Sequence, residues 1–156
     1  MDYQIQSEED LLQTFRPRDR KHVEVPKTMR FPLSLGYYHA WSEPSGVRVY
    51  LVLKKPEWKA PIGVSFKRTQ QGSSSSLSRM CDWCHSCAPS DQIALLTATV
   101  DSRRRVGAIL CLDFGCIYKL DMVSRISGMN FEPMARKLQE RMAVFCEKAL
   151  QIKPEI

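Results

Sequence analysis

Two short-spaced cysteine pairs constrain this chain more than any other feature. Cys81 and Cys84 form a C-x2-C pair, and Cys111 and Cys116 form a C-x4-C pair. Between the pairs, Gln92 to Val100 and Arg105 to Leu112 are strand-like and are joined by Asp101, Ser102, Arg103 and Arg104, which predicts a hairpin with a basic tip. Each pair can wrap a turn around one ion while the hairpin brings the pairs together, which suits a closed tetrahedral zinc site. Ile117, Tyr118, Leu120 and Met122 then predict a short helix that begins at the metal. Knuckle, hairpin and ligand-bearing helix describe a treble clef around one structural zinc. His85 and Cys87 are near enough in sequence for either to replace a nominal ligand, and Cys146 is expected in the core.

Other readings of the cysteines remain open at this point. Cys81 and Cys84 could act as a C-x-x-C thiol redox pair, which leaves Cys111 and Cys116 without a role. All could be ordinary buried cysteines, a residue type that favours interiors. The amino-terminal stretch MDYQIQSEED has neither a basic start nor an apolar run, so no secretory signal is expected and the chain is placed in the cytoplasm. Reducing thiol pools there disfavour structural disulfides. The longest apolar stretches, Val49 to Leu53 and Val106 to Leu112, fall short of the ~18 residues that span a bilayer, so no membrane helix is expected.

Catalysis finds little support. A catalytic zinc keeps an open position and usually carries histidine or carboxylate ligands, whereas four thiolates close the site. The deaminase, nucleophile-elbow, P-loop and H-E-x-x-H motifs are all missing. His22 and His39 lack paired carboxylates and read as structural or surface residues. The expectation is a protein that is not an enzyme and has no small-molecule substrate.

The rest of the chain predicts an α+β fold, with an antiparallel β meander, the treble clef and a carboxy-terminal amphipathic helix in one domain over residues 1–156. Residues 1–30 hold a helix that Ser7 and Asp10 cap, with Leu11, Leu12 and Phe15 on one face until Pro17, followed by a charged linker over Arg16 to Lys21. Residues 31–68 hold the meander, with strands at Leu35 to Trp41, Val47 to Leu53 and Ile62 to Phe66. A serine-rich tract makes 69–79 a mobile loop, 80–124 is the finger, and 128–152 is the last helix. In that helix Phe131, Met134, Leu138, Met142, Phe145 and Ala149 form an apolar stripe read as core, with Arg136, Lys137 and Arg141 on its exposed side.

A formal charge of +6 favours an anionic partner, RNA or an acidic protein surface. Four thiolates (−4) with one zinc ion (+2) lower it only to +4. The forked guanidinium groups of Arg103 and Arg104 at the hairpin tip are the candidate partner-binding residues. Lys54, Lys55 and Lys59 around Trp58 could also meet RNA, although a solvated loop whose tryptophan packs on the meander is the plainer reading.

Arg79 to His85, Ile93 to Thr99, Val106 to Cys111 and Asp113 to Leu120 resemble the zinc-finger domain of the FusB-type family of elongation factor G-binding proteins, known for fusidic acid resistance. The likeness extends more weakly to Trp41, the second and third strands and the last helix, over residues 30–150. The resemblance implies a treble clef whose zinc is held by Cys81, Cys84, Cys111 and Cys116. It further implies a noncatalytic binder that engages elongation factor G and promotes its release from the ribosome. Family members that confer resistance carry a helical bundle before this domain, where this chain has residues 1–30. An RNA-binding zinc module, with ribosomal RNA as one target, and a thiol redox protein are the alternatives.

Overall fold

The Ser7 hydroxyl sets the first helix. In the computed structural model, which describes residues 2–69 and 78–156, it accepts a hydrogen bond from the Asp10 amide at 3.2 Å. Helix α1 (Glu8–Gln13) follows and buries Leu11, with Phe15 buried just beyond it. Pro17 ends that run but opens α2 (Pro17–Arg20), because a proline at the first helical position lacks only an N–H that would have no partner there. The segment Arg16 to Lys21 is therefore not a linker. The Arg16 guanidinium donates to Asp19 Oδ2 at 3.0 Å, to the Val100 carbonyl at 3.2 Å and to the Thr99 carbonyl, which fastens it to the far hairpin.

Strands β1 (Gln4–Ile5) and β2 (Leu33–Ser34) pair with each other. The meander follows as β3 (His39–Ser42), β4 (Arg48–Leu53) and β5 (Ile62–Arg68). Its first strand is shorter than expected, because Gly36 turns the chain at φ +59° and pairing with β4 begins only at His39. The serine-rich loop expected over 69–79 falls mostly on residues 70–77, outside the described residues. Beyond it lie β6 (Arg79–Met80), β7 (Cys87–Ala88), β8 (Ile93–Thr99) and β9 (Arg105–Cys111).

The meander and the second hairpin form one sheet, in the order β3-β4-β5-β8-β9. Lys67 and Arg68 pair antiparallel with Thr97 and Leu96 and make the join. Side chains alternate between the two faces of such a sheet. One face carries Val49, Leu51, Leu53, Val64, Phe66, Leu96 and Leu110, all buried in the main core with the finger and the last helix. The opposite face carries Tyr50 and Val52, which Ile5, Leu11, Phe15 and Leu35 cover in a smaller core. Gly63 permits that cover, since its amide donates to the Thr14 carbonyl at 2.9 Å and a Cβ there would lie 2.6 Å from the Thr14 hydroxyl oxygen and 2.8 Å from the Phe15 ring.

Two helices complete the chain. The short helix expected after the cysteines is α3 (Cys116–Ser127), which runs past 124 and stops where Gly128 takes a left-handed conformation. The last helix therefore begins at Phe131 rather than 128, with Asn130 accepting from the Glu132 amide. It runs as α4 (Phe131–Val144), then widens to a π-helical turn over Phe145–Ala149, short of 152. Of the stripe, Leu138 and Met142 are buried and Phe131, Met134, Phe145 and Ala149 are half-buried, while Cys146 is in the core as expected of it separately. Arg136 and Lys137 are exposed. Arg141 is not on the exposed side, because its guanidinium donates to the Trp83 carbonyl at 2.7 Å. Among the described residues no helix is long and apolar enough to cross a membrane.

Candidate metal centre

Strands β6 and β7 form a tight hairpin whose turn contains Cys81 and Cys84. His85 closes that turn in a left-handed conformation at φ +62°, its amide donating to the Cys81 carbonyl at 2.9 Å. Asp82 locks the turn onto β9. Its amide donates to the Ile109 carbonyl at 2.7 Å, and its carboxylate accepts from the Ile109 amide at 2.9 Å. Cys111 is the last residue of β9, and Cys116 is the first of α3, where the helix dipole favours a thiolate.

All four sulfurs lie within 4.8 Å of one another, and all four cysteines are buried. Cys81 Sγ is 3.8 Å from Cys116 Sγ, and Cys84 Sγ is 3.6 Å from Cys111 Sγ. A tetrahedral ion with metal–sulfur bonds of about 2.3 Å sets its sulfurs about 3.8 Å apart, so the spacing fits a single tetrathiolate ion. Without a cation the four thiols titrate against one another. Hydrogen bonds from Cys111 and then Cys116 hold Cys84 well below the usual thiol range, whereas contacts with Cys111 and Cys81 push Cys116 far above it. A divalent cation removes that conflict, since it lets every thiol ionise.

The nearest sulfur contacts cross between the two motifs, so Cys81 and Cys84 do not stand as an isolated dithiol. They are 0% and 6% exposed, which withholds them from a disulfide substrate that must reach the attacking sulfur. Cys87, exposed on β7, and His85, also exposed, are outside the four-sulfur group. Cys146 is buried on the last helix, and that burial pushes its thiol up to about 12.

Two side chains that sequence reasoning passed over support the centre. Lys119 Nζ lies 3.2 Å from Cys111 Sγ, and its position three residues after Cys116 puts it one helical turn from that cysteine. Tyr38, in the turn before β3, donates its hydroxyl to the Phe114 carbonyl and accepts from the Ile117 amide at 3.1 Å, which braces the loop between Cys111 and Cys116. The helical spacing of Lys119 was readable in advance. No local signal marks Tyr38, which lies 79 positions from Ile117.

The finger packs on the sheet through aromatic rings. Trp83 stacks on Phe114 with centroids 5.6 Å apart, and Phe66 meets both edge-on. Trp58 is buried in the main core, while Lys55 beside it bridges Glu57 at 3.1 Å and Glu140 at 2.7 Å. At the tip of the β8–β9 hairpin, Asp101 Oδ1 accepts from the Arg103 and Arg104 amides at 2.8 and 3.0 Å and so shapes the turn. The Arg104 side chain is engaged with Asp101 at 3.1 Å and Gln151 at 3.2 Å, whereas Arg103 is exposed and makes no ion pair among the described residues.

Knuckle, hairpin and helix, meeting at four buried thiols on an antiparallel sheet, define a treble-clef zinc finger. The family model of the FBP C-terminal treble-clef zinc-finger matches residues 9–153, and the chain belongs to that family. The match reaches further than the finger and takes in most of α1 and all of α2. The fusidic acid resistance protein FusC shares the fold, with a TM-score of 0.54 at 18% identity, over 83% of this chain and 59% of the FusC chain. None of the curated proteins matches the chain.

Proposed function

We propose that this protein is a noncatalytic, zinc-bearing binding protein of the cytoplasm that engages elongation factor G, free or on the ribosome, and modulates translation. The observation that carries the reading is the family match over residues 9–153, which spans the sheet, the finger and the last helix. In this reading Cys81, Cys84, Cys111 and Cys116 hold one zinc ion, whose chemistry is structural: it cross-links knuckle, hairpin and helix and leaves no open coordination position. What the zinc stabilises is a surface, with Arg103 and Arg104 presented on a turn that Asp101 makes rigid. Guanidinium forks there suit carboxylates of a protein partner. Fusidic acid resistance is a property of FusC, 59% of whose length the chain covers, and for this chain we propose the elongation factor contact alone.

Calorimetric titration of the zinc-loaded protein with elongation factor G from the same source tests the reading. Binding with a dissociation constant of about 10⁻⁶ M or tighter is the expected result. The Arg103→Ala, Arg104→Ala double variant should bind more weakly and with a flatter salt dependence, at unchanged zinc content. No heat and no mobility change at tens of micromolar would overturn the elongation factor reading, and wild-type affinity of the double variant at all salt concentrations would overturn the role of the tip.

A further inference from the structure

The amino-terminal layer covers only part of its face of the sheet. Phe15 and its neighbours lie over Tyr50 and Val52, but the same face continues through Arg48 and Lys67, which are register partners, to Thr97, the register partner of Lys67. Thr99 and Arg105, a further register pair, extend it to the last strand. Positions two apart on a strand, and partners across strands, project from the same face, so these side chains form the floor of one concavity. Arg18 and Lys21, from α2 and the turn after it, make the wall. The resulting bowl has a volume of about 430 Å³.

Its chemistry is one-sided. Five cations line it, namely Arg18, Lys21, Arg48, Lys67 and Arg105, and among the described residues none of the five makes an ion pair. The one carboxylate in the lining, Asp19, is already committed to Arg16 at 3.0 Å. Ser65 and Thr99 add hydroxyls between the cations, beside Thr97, whose own hydroxyl donates to the Lys67 carbonyl at 3.4 Å. Among the described residues no tryptophan, tyrosine or phenylalanine lines the bowl and the His22 imidazole is its one aromatic ring, so it offers charge and hydrogen bonds far more than a platform on which bases would stack.

We propose that this bowl binds the sugar–phosphate backbone of RNA, without reading its sequence. Neighbouring strands lie about 4.8 Å apart and alternate residues of one strand about 6.8 Å apart, so the floor presents its cations as a grid over several ångströms rather than as a single point. A polyanion with one charge per residue matches such a grid better than an isolated carboxylate does, and hydroxyls and guanidinium forks are ordinary donors to phosphate oxygens. The site goes beyond the elongation factor reading and uses neither Arg103 nor Arg104.

Fluorescence anisotropy with the zinc-loaded full chain and a labelled oligouridylate of about 16 nucleotides tests the proposal, since single-stranded sites run to about that size. The wild type should bind at low salt. The Arg48→Gln, Lys67→Gln, Arg105→Gln triple variant should bind roughly tenfold or more weakly, with a log–log salt slope shallower by about 2, at unchanged zinc content. Lys21→Gln, in an exposed turn where folding is not at stake, should weaken binding in the same direction and flatten the slope by about 0.7. An oligodeoxyuridylate of equal length should bind comparably, because the backbone charge is shared. No binding by the wild type, or unchanged affinity and slope in Lys21→Gln and in a folded triple variant, would overturn the proposal. Displacement by polyglutamate as effective as by polyuridylate at equal charge would reassign the bowl to an acidic protein, and displacement by inorganic phosphate at equal phosphate concentration would reduce it to a small-anion site.

Discussion

Lys119 Nζ sits 3.2 Å from Cys111 Sγ, so an ammonium group on the first turns of α3 touches one of the four thiols from outside the cluster. A tetrathiolate zinc carries a net charge of −2, and a charge-assisted N–H···S contact disperses part of it. Lys119→Met keeps the aliphatic stem and removes the charge. We expect zinc to be held roughly tenfold less tightly, measured by competition with a chromogenic chelator, while Tm before chelation changes little.

Replacement of a ligand should do more. Cys111→Ser breaks the contact with Cys84 at 3.6 Å and removes the donor that ends β9. Metal binding and folding are linked in such sites, so zinc should fall from about one per chain to near zero, with Tm lower by about 10 °C or more. Metal analysis of protein purified without chelators, alongside calorimetric melting, checks both. Zinc-free wild-type protein with a reversible Cys81–Cys84 disulfide would contradict the structural role.

Gly63 is where the amino-terminal layer meets the sheet. A Cβ would approach the Thr14 hydroxyl oxygen at 2.6 Å and the Phe15 ring at 2.8 Å, and the Gly63 amide would have to keep its bond to the Thr14 carbonyl meanwhile. Gly63→Ala should therefore lower stability by about 1–3 kcal/mol as an overpacking change, read from urea denaturation, with zinc content unaffected.

Tyr50 makes stability sensitive to alkaline pH. Its hydroxyl donates to the His22 carbonyl at 2.9 Å, and burial, followed by the charge of Glu43, pushes its ionisation from the ordinary 10.0 up to about 12. Between those values the folded chain keeps a proton that the unfolded chain has lost, so the contribution is complete below pH 10 and disappears as pH rises toward 12. Thermal melts across that range should show the fall, and Tyr50→Phe should make it shallower. Tyr38, also raised chiefly by burial, accounts for a remainder.

The features that sequence alone determined are those whose cause is local. Ser7 caps the first helix because its side-chain oxygen reaches an amide three residues on. The β8–β9 hairpin follows from two strand-like runs and a short polar turn, and the cysteine spacings follow from what can wrap one ion. Composition misled where local cues compete: Pro17 stops one helix and starts another, and Gly128, expected to mark the start of the last helix, instead ends α3. Only tertiary structure decided how the parts meet. Lys67 and Thr97, 30 positions apart, join meander and finger into one sheet, and Tyr38 braces a loop 76 positions away. The basic bowl draws Arg18 and Arg105 together across most of the chain, while the register between Arg48, Lys67 and Thr97 fixes which face their charges occupy. Such pairings depend on which apolar faces bury one another once the loops between them close, and neither residue spacing nor composition carries that information.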